Sequence, residues 1–499
     1  MFSLFLTRPQ SLAKGLSGLV LASIAIALTP AASRAQGAGG GYQGPVGGHP
    51  LVTAPTAFKW SSTLGVGPVK VPLPGLYGWF VVQEDNLEAR IVPSLTGDPT
   101  IEAIFYPPAS GHPTRAERIT FQFPLKPGSI PDSGALVIAF HSYSHTEKEI
   151  FLNTQIAQYC AQRGWLMVAP YGLVDTHYGN VESQESLDAV LKTVKKYFKY
   201  DPQRVYTVGF SMGGGAATSY AMRKQDKDDL RVAGVINHTG TMDLVDVYNN
   251  GTLATKLMLA DVDHFHGAPS TADGAFPYER VSPGVFSSSI LDLDKMPIRN
   301  LGHLAMYTYV NLNDPLNHLV LDNLAVGNEL LASGVNMQLV SNSQAAIHDW
   351  STMDLNAAFN WIDRSPLAQD PASAWFSADQ EANYLFTEVR KKPDLRSALY
   401  RIEINTVRNQ VTVKKTRDLD VLALDVRDMG LSAKSKLTVN WSTVDSTTDT
   451  LILTGYAVAP SVVTEGGLPS LNWTHDPLTS ELSLVTPAGK TLTTFEVKP

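Results

Sequence analysis

The stretch VYTVGFSMGGGAATSYAMR, residues 205–223, sets Ser211 between Gly209 and Gly213, at the joint between a β-branched run and an alanine-rich one. Glycines two places before and two places after a serine suit a sharp strand-to-helix turn. There the serine takes an unusual φ/ψ and its hydroxyl stands above the sheet. Such a hydroxyl becomes a nucleophile when a base takes its proton and a carboxylate orients that base. Other chemistries of glycine-rich turns do not fit: no G-K-[S/T] follows for a phosphate loop, and GFSMGGGAA lacks the G-x-G-x-x-G register of a dinucleotide site.

Two later runs supply the partners. HLAMYTYVNLND ends at Asp314, and NMQLVSN leads into a loop that closes on His348 in HDW. Serine, acid and histidine then follow in the chain order of a nucleophile-elbow hydrolase, each at the end of an expected strand. The catalytic candidates are therefore Ser211, Asp314 and His348. Rivals are His318 for the base, and Asp243, Asp246 or the adjacent Asp349 for the acid, with Asp314 preferred. An oxyanion needs two backbone N–H donors. Met212 is one candidate, and Ser142 or Tyr143 in the turn AFHSYSH is the other. Phe210, Trp350, His141 and Tyr171 are candidates for lining the substrate cleft, with packing as the competing role.

DVDHFHG places Asp261, Asp263, His264 and His266 close together, a donor set that could hold zinc or calcium. A solvated cleft rim is the simpler expectation, so neither metal nor other cofactor is called for.

The elements that must position these residues alternate. ALVIAFHS is a continuous apolar run suited to a strand buried on both faces, and WLMVAPYG, RVYTVGF and VAGVINHTG follow in kind, with helical patterns between them. Strands separated by helices imply right-handed crossovers and a parallel sheet, hence a three-layer α/β domain. From about residue 366 the pattern turns to short Thr/Val-rich runs with turn residues, the signature of a β-sandwich. The expected organisation is a signal peptide over 1–35, a Gly/Pro-rich leader over 36–57 and an N-terminal β-rich extension over 58–114. A catalytic α/β domain over 115–365 follows, with a loop-rich insertion at about 241–300, and an all-β sandwich over 366–499 ends the chain.

The leader carries Arg8 and Lys14 ahead of the apolar run Gly15–Leu28 and small residues at Ser33 and Ala35, which predicts export with cleavage before Gln36. About 14 apolar residues are too few to span a bilayer, so no stable membrane span is expected after cleavage. The net charge of −8 argues against a nucleic-acid partner. Cys160 is the one cysteine, so an exported chain must rely on its core rather than on an internal disulfide.

The series FHSYS, GFSMGGG, NLNDP and IHDW resembles the α/β-hydrolase superfamily over about 115–365. It is similar to secreted esterases of the polyhydroxybutyrate-depolymerase and feruloyl-esterase type and to prolyl-oligopeptidase-like hydrolases. Tyr143 with SMGGG also resembles bacterial cutinases and polyester hydrolases, although their disulfides are missing and the segment between Ser211 and Asp314 is long. The resemblance implies a mostly parallel α/β-hydrolase sheet and acyl-transfer chemistry on an ester substrate, polymeric or small. The roughly 80 residues ahead of the catalytic elements are too few for a prolyl-oligopeptidase propeller, which favours esters over peptides. An inactive hydrolase fold serving as a binding protein, or a sandwich that carries an esterase to a polysaccharide, are the alternatives. The sequence leaves the oligomeric state open.

Overall fold

The computed structural model describes residues 79–82, 87–93, 99–105, 117–122, 134–197, 200–226, 228–262, 264–287, 290–292, 297–365, 370–392, 396–444, 448–486 and 492–499. All lie in the compact unit Leu51–Pro499. The expected signal peptide and leader fall outside the described residues.

The sheet opens with β1 (Trp79–Val82), β2 (Leu87–Pro93), β3 (Pro99–Phe105) and β4 (Glu117–Gln122), and continues with β5 (Leu136–Phe140). Helices α1 (Glu149–Leu152) and α2 (Ile156–Arg163) lead to β6 (Leu166–Pro170), α3 (Val181–Tyr197), β7 (Val205–Phe210), α4 (Met212–Arg223) and β8 (Val232–His238). Next come α5 (Leu244–Asn250), α6 (Leu253–Leu259), α7 (Ala272–Val281) and a short hairpin of β9 (Phe286–Ser287) and β10 (Ile290–Leu291). The catalytic region closes with β11 (Ala305–Asn311), α8 (Asn317–Ala332), β12 (Met337–Asn342) and α9 (Leu355–Arg364).

Ten strands form one sheet in the order β1-β2-β3-β4-β6-β5-β7-β8-β11-β12. The first four pair antiparallel, and the neighbours from β6 onward pair parallel. The strands of 79–105 are thus the antiparallel edge of the catalytic sheet. The expected boundary at 114/115 cuts through this sheet, because β3 pairs with β4 along its whole length.

β5 shows why the sheet has helices on both faces. Successive side chains of a strand point to opposite sides. Leu136, Ile138 and Phe140 pack with α3, α4 and α8, while Val137 and Ala139 pack with α2 and α9. Every residue of β5 is buried, which an alternating polar strand could not tolerate. Cys160 is buried in α2, where desolvation pushes its thiol far up and leaves it inert as a nucleophile.

The insertion departs from the loop-rich expectation. It contains α5, α6 and α7, capped by Asp243, Thr252 and Thr271, whose side chains accept N–H bonds from the first helical turns. Leu244, Val247, Leu259, Phe265, Tyr278 and Val281 gather there with Met212 and Tyr178, so the insertion is a packed cap beside the nucleophile turn.

Residues 373–498 build sheets of seven and six strands around a separate core with Tyr400, Trp441 and Phe495 at its centre. This β-rich region docks on the C-terminal end of α4. Arg223 meets Asp379 at 3.2 Å, Arg280 meets the same carboxylate at 2.6 Å, and Asn300 bridges Met222 and Ser377. Among the described residues no helix is long and apolar enough to cross a membrane.

Candidate active site

Ser211 sits between β7 and α4 with φ 55° and ψ −123°, a left-handed conformation that a residue with a Cβ rarely adopts. Serine is a favoured N-cap, yet this one makes no cap hydrogen bond, so its hydroxyl is not spent on the helix. Backbone bonds hold it: Ser211 N donates to His238 O at 3.0 Å, and Thr241 N donates to Ser211 O at 3.1 Å. The glycines are required by contact distances. A Cβ on Gly209 would lie 2.0 Å from Gly213 O, and one on Gly213 would lie 2.4 Å from Phe140 O. The glycine run extends to Gly215, where a Cβ would meet Thr241 Oγ1 at 2.0 Å.

The structure brings Asp314 and His348 together. Asp314 follows β11, its side chain only 2 % exposed, and its Oδ2 accepts from His348 Nδ1 at 2.6 Å. Its Oδ1 accepts from Leu316 N at 2.9 Å, which fixes the carboxylate plane. His348 Nε2 is buried without a hydrogen-bond partner. It is therefore the nitrogen left to take a proton. The imidazole rests on the Phe210 ring, with centroids 4.4 Å apart, which sets it next to Ser211 in the chain. No hydrogen bond joins Ser211 to His348 Nε2; catalytic hydrogen bonds commonly tighten only in the substrate complex.

Asn311 positions both partners. Its amide donates to Ala345 O and Ile347 O, and its carbonyl oxygen accepts from Asn313 N and Gln344 N. The two loops carrying Asp314 and His348 are thereby tied together.

The rival residues are not joined in this way; Asp246 Oδ1 accepts from Asn250 Nδ2. Asp243 caps α5 and also accepts from Phe286 N at 3.0 Å. Asp349 accepts from Ser351 N, and hydrogen bonds from the Ser351 hydroxyl and then from its N–H hold the carboxyl below the usual range. His318 is half-buried, and burial lowers its pKa.

The oxyanion candidates separate. Ser142 N donates to Glu149 Oε2 at 2.6 Å and Ser142 Oγ to Glu149 Oε1 at 2.7 Å. Ser142 is thus corrected from donor to anchor: its N–H is already bonded. Tyr143, the next residue, is 39 % exposed and is the donor candidate that remains with Met212. The Gly213 contacts with Phe140 O and His141 O press the start of α4 against this turn.

The cleft-lining expectations need the same correction. Phe210 and Trp350 are buried and pack against each other and against His238. Phe210 supports the His348 ring, Trp350 backs Phe210, and both are too buried to offer much surface to a substrate. His141 is fully buried, its ring nitrogens 2.9 Å from Ser142 O and Tyr171 O, so it ties two loops together. Tyr171 is held between Arg118, 3.7 Å above its ring, and His141. The aromatic at the rim is Tyr143, whose ring lies 5.8 Å from that of Tyr178. In the 261–266 cluster, His264 faces Thr176 and His266 faces Glu182, whereas Asp263 lies outside the described residues.

Residues 171–263, which run through the nucleophile turn into the cap, match the family described as "Alpha/beta hydrolase of unknown function (DUF915)". The fold is that of the α/β hydrolases. Among solved structures it is similar to the fluorophosphonate-binding serine hydrolase F of Staphylococcus aureus, at 14% identity and TM-score 0.39, over 53% of this chain and 98% of that one. It is also similar to an S-formylglutathione hydrolase from Agrobacterium tumefaciens, at 11% identity and TM-score 0.40, over 55% and 98%. A third is an acetyl xylan esterase from Paenibacillus sp. R4, at 12% identity and TM-score 0.39, over 56% and 89%. No curated protein sequence matches it.

Two buried carboxylates that position loops escaped the sequence reading. Glu149 holds the Ser142–Tyr143 turn. Glu117, fully buried, accepts from Tyr171 N, Gly172 N and Leu173 N at 2.7–2.8 Å and anchors the loop after β6. Burial raises the Glu117 pKa to about 7 although all three N–H bonds pull it down. An acid beginning a strand in ERITFQ was the available signal, but its partners lie 54 to 56 residues away.

Proposed function

We propose that this hydrolase is an exported serine esterase that cleaves carboxylic esters through an acyl-enzyme on Ser211. The carrying observation is the conformation of Ser211, strained at φ 55° with a hydroxyl that makes no cap bond. Strain of this kind costs about 1–3 kcal/mol and persists where the fold over-determines it. A serine serving only as a joint would be relieved by glycine, of which this turn already has four.

In this reading His348 Nε2 takes the Ser211 proton as Oγ attacks the ester carbonyl, and Asp314 steadies the imidazolium through Nδ1. The N–H groups of Met212 and Tyr143 receive the developing oxyanion. The proton on Nε2 then passes to the departing alcohol, and water attacks the acyl-enzyme by the same route in reverse. The buried Asp314 keeps the ring in the tautomer that leaves Nε2 as acceptor.

The test is hydrolysis of short-chain p-nitrophenyl esters by wild type and Ser211→Ala, with fluorophosphonate labelling mapped by mass spectrometry. Turnover lost in the variant by at least about 10³-fold and a label on Ser211 are expected. An unlabelled Ser211 in a folded, inactive wild type would end this reading. Export is tested by fractionation of the native host, with the chain beginning at Gln36 outside the cytoplasm.

A further inference from the structure

Between α5 and the first half of α8 lies an open cavity of about 1030 Å³, next to the loop that carries Asp314. Three carboxylates line it, Asp243, Asp246 and Asp322, and no lysine or arginine does among the described residues. Asp243 is saturated by its backbone donors. Asp246 Oδ1 accepts from Asn250 Nδ2 at 3.0 Å, which leaves Oδ2 and the Asn250 carbonyl oxygen to other donors. Asp322 is 7 % exposed, and its Oδ2 has no hydrogen-bond partner. A buried carboxylate without a donor is costly unless something supplies one. Polar side chains of Asn249, Asn317 and His318 share the lining with an apolar side formed by Phe286, Leu316 and Leu321.

A bare metal ion does not suit this geometry. No three ligand-type side chains among the described residues converge closely enough to hold one. Carboxylates spread along a roomy cavity with one apolar side suit a cation that has several N–H donors and a hydrocarbon body. We propose that the cavity is a binding site for an organic ammonium ion, an amine on an alkyl chain, with Asp246 and Asp322 as counter-ions and the apolar wall covering the chain.

The titration state agrees. Burial, then Asp246 and Asp243, raise the Asp322 pKa to about 8. The facing groups are Asp243 and Asp246 from the α5 side and His318 on α8. Burial lowers the His318 pKa and keeps it neutral at pH 7, so it gives the acids no positive charge. Asp322 therefore holds a proton at neutral pH in the ligand-free molecule. An arriving ammonium favours the carboxylate and displaces that proton. Binding must tighten as pH rises toward 8 and release a proton into the buffer below it.

The test is calorimetric titration of the full chain with n-hexylammonium chloride, in two buffers of different ionisation enthalpy. Wild type and Ser211→Ala should bind alike, which separates this site from the esterase reading. Asp246→Asn should weaken binding at least tenfold, and Asp322→Asn should abolish the buffer dependence. Leu321→Lys, at a half-exposed position that tolerates a long side chain, should block binding by placing its own ammonium in the cavity. Absence of heat with wild type, or unchanged affinity in both Asp246→Asn and Leu321→Lys, overturns the proposal.

A kinetic arm names the source of the amine, and that arm alone rests on the esterase reading. A preference for p-nitrophenyl 6-aminohexanoate over p-nitrophenyl hexanoate that disappears in Asp246→Asn assigns the ammonium to the substrate. Calorimetric binding without such a preference assigns it to a separate amine ligand.

Discussion

The two ends of α4 are built on opposite principles. At its N-terminus Ser211 is strained, its hydroxyl caps nothing, and the neighbouring His348 Nε2 is buried without a partner. At its C-terminus Arg223 is buried and fully engaged: Nε meets Asp379, Nη1 donates to Gln184 at 2.9 Å, and Nη2 donates to Gln380. Twelve residues, about 18 Å of helix, separate them. Satisfied polar groups rigidify and locate a structure, whereas unsatisfied ones store the capacity to bind or react. The β-rich domain grips the satisfied end. Its described contacts with α4 therefore serve to hold the helix that aims Ser211, at a distance from the chemistry.

The largest effect expected at the reactive end comes from Asp314→Asn. An amide in place of the carboxylate holds the wrong imidazole tautomer, so kcat should fall about 10³–10⁴-fold, or about 4–5.5 kcal/mol, with folding intact. Steady-state kinetics on p-nitrophenyl butyrate beside a circular dichroism melt would measure both. A loss of less than tenfold would mean that Asp314 is not the orienting acid, and that the contrast between the ends of α4 is drawn wrongly.

At the satisfied end, Asp379→Ala should cost about 3–5 kcal/mol of stability, because it leaves the buried Arg223 and the partly exposed Arg280 without their counter-ion. Chemical denaturation would show the loss, while kcat of the folded fraction stays at the wild-type value. Burial alone would raise the Asp379 pKa, but Arg223 and then Arg280 outweigh it and hold it below the usual carboxylate value. A folded pKa below the unfolded one means that the stabilisation is complete at neutral pH. It is lost as pH falls through the unfolded value of about 4 and on to the lower folded value. Wild type should accordingly show an acid-sensitive limb that Asp379→Asn lacks.

How much of this was legible follows from the range of each interaction. Leu136–Phe140 declares a two-face buried strand through its own composition, and Ser211 and Asp314 each follow a run of that kind, whereas His348 follows the half-exposed edge strand β12. Their order along the chain was enough to nominate them. Glu149 and Glu117 act on loops whose proximity exists only after folding; an acid at the start of ERITFQ marks Glu117 but not its partners 54 to 56 residues away. The burial of Phe210, Trp350 and His141 was illegible for the same reason: an aromatic next to a catalytic residue in sequence can turn its ring into the cleft or beneath it. The cap helices are the opposite case. Asp243, Thr252 and Thr271 are N-cap residues in plain view, and polar, alanine-rich turns between them hid the helices they begin.

A smaller effect belongs to Glu149→Gln, which tests the positioning role at the oxyanion turn. The amide keeps the size of the side chain but weakens two short bonds to Ser142, at 2.6 and 2.7 Å. The expected result is a fall in kcat of about 10–10² with KM nearly unchanged, less than the about 10²–10³ lost when an oxyanion donor is removed outright. A rise in KM at constant kcat would instead make Glu149 part of substrate binding.

Ser211→Gly carries the smallest expected change in stability and tests the reactive end against its own strain. Glycine reaches φ 55° without a Cβ penalty, so the local strain of about 1–3 kcal/mol should be relieved. The more flexible unfolded chain takes back roughly 0.5–1 kcal/mol of that gain. The net expectation is stabilisation by about 1 kcal/mol in the urea transition of the α/β domain, with activity abolished. No comparable gain should be available at Arg223, where every substitution removes a satisfied bond. Destabilisation by Ser211→Gly would show that the serine side chain contributes packing that its missing hydrogen bonds conceal, and the two ends of α4 would then differ in chemistry but not in strain.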